Sequence, residues 1–364
     1  MYQLVDAELE TIKSLKDNQE VPPLGNDAKS IPLAQVLSET IQDNRLRQLL
    51  CYINPLYSGL QDTTPAYLHA LVLVQHINGS FQFVGGSQQL ADALAEVIVK
   101  GGGKVLNRQQ VRSVVVENHR VKEVTTADGS HFFADAFVSD IHPTLLFPMV
   151  EGKGFTPSFV NRISQTPNTD SSFTLFLQFK PESFPYINHA VYLFDSADTV
   201  WHNGANEDDL WPSGFMFVTP PVENQCKWAN TMIVHCPMPF EWVRQWAESR
   251  VGHRGEAYEA WKKQKEERVV AQLERRYPQI RTAIRDCFSA SPLTIRDYYA
   301  NPNGCLYGLR KESTTMISSS MSVRTKVENL YLTGQNVHLH GLFGVSMTAV
   351  ETVYAMRNMM KNKK

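Results

Sequence analysis

The chain has 364 residues, of which 43% are hydrophobic and 20% charged, and its formal net charge at pH 7 is −2. This composition indicates a globular protein of roughly two domains, and the near-neutral charge argues against nucleic acid as a partner, which would need a basic face. The five scattered cysteines include no C-x-x-C pair, so we predict reduced thiols and a cytoplasmic location.

The first 78 residues predict a helical region. Apolar residues recur at helical spacing over 31–41 and 44–53, and turn formers concentrate at 18–27 and 54–65, where we predict breaks. The beginning of the chain lacks the pattern of a secretory signal. The apolar run at 68–74 is too short to cross a bilayer, so we predict no membrane span, while contact with a membrane surface stays open.

From residue 79 the pattern predicts an α/β region. A strand is predicted at 81–84, followed by a helix with Ser87 as N-cap that ends at the glycines of 101–103. Further strands are predicted at 104–106, 111–117, 120–126 and 131–138, with tight turns at Asn118-His119 and Asp128-Gly129.

Residues 150 to 320 predict a mixed region rich in aromatic side chains. Strands are predicted at 171–180, 189–194 and 230–236, and a long helix over 240–277. The aromatic side chains suit either a long apolar pocket or an ordinary core, and a core is the expectation for any single one. They are Phe173, Phe176, Phe179, Tyr192, Phe194, Phe215, Phe217, Trp242 and Trp246.

The most informative stretch lies near the C-terminus and reads NLYLTGQNVHLHGLFGVSMTAVETVYAM, residues 329 to 356. A short apolar strand stops at Gly334, a loop with Gly341 and Gly344 follows, and a helix is predicted to start near Ser346. Glycine lets main chain approach a ligand, and a helix N-terminus offers free N–H groups and a positive dipole end. The pattern favours a cofactor site over glycines that merely relieve crowding.

Two histidines in this loop, His338 and His340, have the spacing of a metal pair on a strand. No third ligand is nearby in the sequence, so we expect loop histidines and no metal site. Arg310 and Lys311, upstream of the loop, suit either a cofactor phosphate or solvent.

At this point three stretches resemble one family. The segment 330–356 is similar to the C-terminal flavin-binding segment of the phytoene desaturase and retinol saturase branch of the flavin amine oxidase superfamily. Residues 84–140 resemble the internal flavin-domain segment of those proteins, and 292–312, PLTIRDYYANPNGCLYGLRKE, resembles the segment just upstream of their final strand. The resemblance covers the chain from about residue 50 onward.

The resemblance implies FAD as cofactor and leaves NAD(P) open as the electron partner. It implies that Gly334 and Gln335 lie along the ribityl chain and pyrophosphate, and that the main chain at Val111 meets the adenine. The residues implied beside the isoalloxazine ring are Gly341, Gly344, Val345, Ser346 and Met347. Tyr307, in CLYGL, is the candidate catalytic residue facing the ring, with a buried structural tyrosine as the alternative.

One family feature is missing, because this sequence contains no G-x-G-x-x-G motif. Family members open with a strand, that motif and a helix, which together hold the pyrophosphate. We therefore expect a mixed α/β fold in which an incomplete FAD-binding Rossmann-like domain is interleaved with a mixed-sheet substrate domain. A partner chain or an upstream segment would supply the missing nucleotide-binding part.

The predicted domain segments alternate along the chain. They are 1–78, helical part of the substrate domain; 79–148, FAD-binding segment; 149–324, substrate domain; and 325–364, C-terminal FAD-binding segment. The leading hypothesis is an FAD-dependent oxidoreductase acting on C–C double bonds of a hydrophobic polyene or isoprenoid, as a saturase or desaturase. The alternatives are a flavin amine oxidase and a non-catalytic remnant that binds a lipid or a partner.

Overall fold

The computed structural model describes residues 29–77, 79–201 and 210–361. The predicted break at 18–27 lies outside these residues. Helices and strands alternate along the chain, which confirms the mixed α/β class. No helix within the described ranges is both long enough and apolar enough to cross a membrane.

The first described region is helical, as predicted. Its elements are α1 (Leu33–Thr40), α2 (Asn44–Leu50), a 3₁₀ turn (Asn54–Leu56) and α3 (Ala66–Ile77). Asp43 caps α2, since its carboxylate accepts from the backbone N–H groups of Arg45 and Leu46 at 2.8 and 3.2 Å. Helix α3 is buried on most of its surface and packs in one apolar cluster with Ile53, Tyr57 and Leu339.

Helix α4 (Gln88–Lys100) follows, but two predicted strands beside it are absent. Residues 81–84 and 104–106 form no strand, and Ser87 makes no side-chain capping bond. The apolar face of α4 is exposed, with Val97 at 68%, and Leu106 beyond it is 54% exposed. A three-residue strand needs a neighbour to bond to, and the described residues offer none here.

The next part contains a four-stranded sheet and the first strand of a parallel pair. Its elements are β1 (Val111–Glu117), β2 (Arg120–Thr126), β3 (His131–Phe132), β4 (Phe137–Ser139), α5 (Pro143–Leu146), β5 (Val150–Gly152) and α6 (Pro157–Ser164). The order in the sheet is β3-β2-β1-β5. The β1–β2 turn has φ of +49° at Asn118 and +60° at His119, which confirms the predicted tight turn. The predicted strand at 131–138 is wrong in one respect: it divides into β3 and β4, which join different sheets.

The region from 171 to 319 is built on a five-stranded antiparallel sheet of order β10-β6-β9-β8-β7. Its elements are β6 (Ser171–Phe179), β7 (Val191–Phe194), β8 (Gly214–Val218), β9 (Thr231–Met238), α7 (Glu256–Arg276), α8 (Ile280–Ala283), β10 (Ile284–Ala290), α9 (Pro292–Tyr299) and α10 (Met316–Ser319). The single helix predicted over 240–277 is wrong. A 3₁₀ turn (Phe240–Trp246) comes first, and Gly252 and Gly255, at φ +77° and +86°, separate it from α7.

The chain ends with strand β11 (Leu330–Leu332) and helix α11 (Gly341–Lys361). Strand β11 pairs in parallel with β4, and Leu330 lies opposite Phe137. Leu332 also bonds to the preceding segment, because its N–H donates to the carbonyl of Val323 at 2.9 Å. The outer edge of β4, by contrast, has no strand partner in the described ranges.

Candidate functional site

The loop after β11 begins with a backbone conformation that favours glycine. Gly334 has φ +84°, and a Cβ there would lie 1.8 Å from Oδ1 of Asp140. Because β4 and β11 are parallel, Asp140 and Gly334 follow the carboxyl ends of neighbouring strands, and Thr333 N–H donates to the Ser139 carbonyl at 3.0 Å. Gly334 therefore lies close to the Asp140 carboxylate, and its predicted contact with a cofactor stays a prediction.

The middle of the loop is anchored by Asn336, a buried residue that the sequence analysis missed. Its Oδ1 accepts from the Leu309 N–H at 3.0 Å, and its carbonyl accepts from Nζ of Lys311 at 3.0 Å. Burial lowers the pKa of Lys311 to about 8. Lys311 therefore binds main chain rather than solvent, and Arg310 pairs through Nη2 with Oδ2 of Asp170 at 3.0 Å.

Helix α11 begins at Gly341 rather than near Ser346, so the predicted start is wrong by more than one turn. Thr348 is inside the helix, where its hydroxyl donates to the Gly344 carbonyl at 3.0 Å. A Cβ at Gly344 would come within 2.5 Å of the Leu339 carbonyl oxygen. Gly344 thus lets the first turn of the helix pack closely against the end of the loop.

A cavity of about 310 Å³ lies against this first turn, and we name it the ring-side cavity. Its lining residues are Leu56, Leu68, Leu71, Val72, Gln75, His76, Tyr307, Leu339, His340, Gly341, Leu342, Phe343 and Gly344. Gly341 has φ +76°, and a Cβ there would meet nothing within 4 Å. Main chain at a helix N-terminus therefore borders an open, mostly apolar space.

Tyr307 and His340 form one wall of the ring-side cavity, with ring centroids 4.4 Å apart. The Tyr307 hydroxyl donates to the Pro55 carbonyl at 3.0 Å, and burial raises its pKa above the usual range. His340 Nε2 lies 2.8 Å from the Leu56 carbonyl, which can only accept, so Nε2 carries the proton. Burial lowers the pKa of His340 to about 4, and its imidazole is neutral at pH 7.

Two more cavities adjoin the ring-side cavity around Leu56, which lines all three. The inner cavity, of about 330 Å³, lies over strands β6 and β9 and shares Tyr307 with the ring-side cavity. The outer cavity, of about 1110 Å³, shares Met216 with the inner one and His76 with the ring-side one. Together they form a set of adjoining spaces that reaches from the α11 N-terminus past the five-stranded sheet.

The structure brings Gly341, Gly344 and Tyr307 to one cavity, but it does not bring the other predicted site residues there. Val345, Ser346 and Met347 lie on the next turn of α11, and none of them lines the three cavities. Gln335 is half-buried in the loop, and Val111 lies at the start of β1 opposite Thr126. Their contacts with a cofactor stay predictions.

Most of the aromatic side chains considered for a pocket belong to the core instead. Phe173, Phe179, Phe215 and Phe217 are buried in the cluster between the five-stranded sheet and α7. Tyr192 lines the outer cavity, where its ring packs edge-on against Tyr52 at 5.1 Å. The described residues contain no group of three or more side chains that could hold a metal ion.

Comparison with known proteins gives relatives over most of this chain, although no family model matches it. The all-trans-retinol 13,14-reductase of Rattus norvegicus is 26% identical over 89% of this chain and 57% of its own length. The 4,4'-diapophytoene desaturase (4,4'-diapolycopene-forming) of a Methylomonas species is 24% identical over 59% of this chain and 46% of its own. This chain therefore spans about half the length of the curated relatives it matches.

The chain is therefore similar in sequence to a retinol reductase and to a diapophytoene desaturase. A solved structure of a putrescine oxidase bound to putrescine superposes with a TM-score of 0.58 at 14% identity, over 99% of this chain and 75% of that one. That likeness shows that the two chains share a fold.

The residues at the ring-side cavity fit the ring end of a flavin, because main chain of Gly341–Gly344 and a helix N-terminus border a cavity with apolar walls. The pyrophosphate end differs. Within the described ranges the parallel sheet consists of β4 and β11 alone, and the sequence has no G-x-G-x-x-G loop. The fit therefore concerns the ring end.

Proposed function

We propose that this chain carries the substrate-binding and ring-facing part of an FAD-dependent oxidoreductase that acts on C–C double bonds of a hydrophobic polyene. One observation carries the proposal. The main chain at the N-terminus of α11 lines the ring-side cavity, which adjoins the apolar inner cavity. The two cavities have two lining residues in common, Leu56 and Tyr307, which lie between them. A cofactor ring on one side and a polyene on the other would thus lie within reach of each other.

FAD would supply hydride exchange with the double bond when bound. Gly341 and Gly344 would hold the ring edge, and the positive end of the α11 dipole would stabilise negative charge there. Tyr307 and His340 already donate their protons to the Pro55 and Leu56 carbonyls, so they support the walls and exclude water rather than transfer protons. NAD(P)H is the proposed electron donor for the saturating direction.

The direct test uses the purified chain, reconstituted with FAD. We expect a flavin spectrum with protein-induced shifts, and bleaching of a polyene by the photoreduced complex under anaerobic conditions. A reconstituted complex that oxidises putrescine and leaves polyenes unchanged would instead support the amine oxidase alternative. A folded chain that takes up no flavin, alone or with the partner described next, would remove the redox role and support a non-catalytic lipid-binding protein.

The uncovered face around α4 and β4 supports a second component of this proposal, a partner polypeptide. In a parallel pair, main-chain groups alternate in direction; Phe137 N–H and the Ser139 carbonyl bond toward β11, so the groups of Val138 point to the outer edge. Val138 is 47% exposed, and the exposed apolar face of α4 belongs to the same predicted FAD-binding segment, 79–148. Parallel sheets need strands and helices on both sides.

We infer that the occupant of this edge is a strand–helix segment with a glycine-rich phosphate loop, presented by another polypeptide. The quarter of the putrescine oxidase chain without a counterpart here is long enough to contain such a segment. Coexpression with a G-x-G-x-x-G fragment from a flavin relative should give a copurifying, coloured complex. Val138→Pro removes the outward N–H and should abolish copurification, whereas Val138→Ala should not. Equal capture of the fragment by both variants would contradict docking at β4.

The rim of the outer cavity supports a peripheral membrane contact for a cytoplasmic protein. Phe81 lines this cavity and is 94% exposed, and the five cysteines are free thiols, in keeping with a reducing compartment. We expect the chain to float with neutral liposomes, and Phe81→Ser to reduce flotation. Unchanged flotation of that variant would contradict the contact.

A further inference from the structure

Another cavity, of about 310 Å³, lies apart from the three described above, and we name it the α6 cavity. It is bounded on one side by α6 and the residues just before that helix, and on the other by residues 320–326, which precede β11. It shares no lining residue with the ring-side, inner or outer cavity. The proposed function therefore gives it no role.

Three basic side chains line the α6 cavity, those of Arg162, Arg324 and Lys326, and no acidic side chain of the described residues joins them. Arg324 and Lys326 form no ion pair with any residue in the described ranges. The acidic residue nearest to them in sequence, Glu328, is engaged elsewhere, since its Oε2 accepts from Nη1 of Arg120 at 2.9 Å. Positive charge without a compensating carboxylate makes the cavity attractive to an anion.

The guanidinium of Arg162 is held against an aromatic wall of the cavity. Its Nη1 donates to the Ser320 carbonyl at 3.0 Å, and its Cζ lies 5.1 Å from the centroid of the Phe159 ring. Phe159 is stacked with Phe155, with the ring centroids 5.7 Å apart and the planes at 16°, and both rings line the cavity. Flat groups of this kind form a surface on which a further flat ring can stack.

Two hydroxyl groups on the cavity wall have a proton left for a ligand. Oγ1 of Thr156 caps α6 by accepting from the Phe159 N–H at 3.3 Å, and Oγ of Ser322 accepts from the Arg324 N–H at 3.1 Å. Neither hydroxyl donates to a residue in the described part of the chain, whereas that of Thr325 already donates to main-chain carbonyls. Hydroxyl donors beside the positive end of a helix dipole suit the oxygens of a phosphate.

The number and kind of these groups restrict the ligand. A phosphate monoester carries a charge of about −1.5 to −2 at pH 7 and three strongly accepting oxygens, so it can bind several cations and hydroxyls at once. A carboxylate has a single charge and two oxygens to offer. A bare inorganic anion would leave the aromatic wall uncovered, together with Met321 and Leu332 beside it, so the ligand also needs a flat, largely apolar part.

We propose that the α6 cavity binds a nucleotide, a phosphate monoester joined to a flat ring system. The phosphate lies at Arg324 and Lys326, and the ring lies on the wall formed by Phe155 and Phe159. The inference goes beyond the proposed function, because no residue of the α6 cavity is assigned there to the flavin, the polyene, the partner polypeptide or the membrane.

The test is isothermal titration calorimetry of the full-length chain with three probes, AMP, adenosine and inorganic phosphate. We expect one AMP to bind per chain, at least about tenfold more tightly than either other probe, because adenosine lacks the ionic contacts and phosphate lacks the stacking. Added salt should weaken the binding of AMP, since it screens exposed charges. No binding of AMP, equal affinity for AMP and one of the other probes, or binding that salt does not change would each overturn the inference.

A matched pair of double variants locates the site. Arg324→Gln with Lys326→Gln removes the two cations that lack an ion pair and should weaken AMP binding by at least about tenfold. Lys104→Gln with Lys122→Gln removes two exposed cations elsewhere in the chain and should leave the affinity for AMP unchanged. Undiminished binding of AMP to the first double variant would overturn the inference, because the nucleotide would then lie elsewhere, such as at the adenine position predicted for Val111. All four positions are exposed, so neither pair should disturb the fold.

Discussion

Replacement of Gly308 by alanine tests how the loop after β11 is held. Gly308 has φ +69°, and a Cβ there would lie 2.2 Å from Oδ1 of the buried Asn336, the atom that accepts from Leu309 N–H. Alanine at positive φ is unfavourable by about 1–2 kcal/mol. Displacing Asn336 would break a buried hydrogen bond, which adds about 1–3 kcal/mol. We therefore expect the free energy of unfolding to fall by roughly 2–5 kcal/mol, the sum of the two terms.

Gly129→Ala is the matched control, because Gly129 has a similar φ of +83° and a Cβ there would meet nothing within 4 Å. This variant should show the backbone term alone, about 1–2 kcal/mol. The assay is equilibrium urea unfolding followed by tryptophan fluorescence, with the denaturant slope compared between variants. If Gly308→Ala destabilises the protein no more than Gly129→Ala does, the account of Asn336 as the anchor of the loop is refuted.

Three further predictions concern protonation, the cavity wall and the exposed helix. Burial lowers the pKa of the fully buried His69 to about 4, which is below its value in the unfolded chain. Between these two values the unfolded state binds a proton that the folded state does not, so the free energy of unfolding should fall as pH drops from about 6.5 to 4. His69→Asn should reduce that slope in pH-dependent unfolding, by up to about 1.4 kcal/mol per pH unit, and an unchanged slope would contradict it. Tyr307→Phe keeps the ring beside His340 and loses one hydrogen bond, so the free energy of unfolding should fall by about 1 kcal/mol. Polyene turnover by the reconstituted complex should stay within about tenfold of that of the unmodified chain. A loss of turnover beyond about a hundredfold would instead identify Tyr307 as a proton donor. Val97→Glu, on the exposed face of α4, should change the unfolding free energy by less than about 0.5 kcal/mol. It should still reduce copurification of the G-x-G-x-x-G fragment with the chain, and unreduced copurification would exclude α4 from the docking surface.

Local signals predicted much of the fold. The β1–β2 hairpin depends on a two-residue turn whose residues accept positive φ, and β6, β7 and β9 depend on alternation along the strand. The strands predicted at 81–84 and 104–106 are absent because a strand needs partners distant in sequence, and a local pattern gives no information about such partners. The helix predicted over 240–277 failed because two glycines at positive φ interrupt it.

The candidate site was predictable only where it is contiguous in sequence. Gly341 and Gly344 lie between a strand and a helix, and Tyr307 lies in a segment that resembles known proteins, so the sequence singled out all three residues. Asp140, Asn336 and Asp170 meet the site through pairings across the fold; Asp170 bonds to Ser58 from 112 positions away. Their local sequence gives no sign of a role, since a single polar residue is as consistent with structure as with function.

The 3₁₀ turn at Asn54–Leu56 has a consequence for how this protein could change its ligands. The carbonyls of Pro55 and Leu56 accept the protons of Tyr307 and His340, while the Leu56 side chain borders every one of the three cavities. The Asn54–Leu56 turn thus acts as a partition that is common to the three cavities, and its shape affects the volume of each of them. Trimming that leucine would merge neighbouring chambers and admit bulkier molecules, and any motion of the turn would be transmitted to both compartments together.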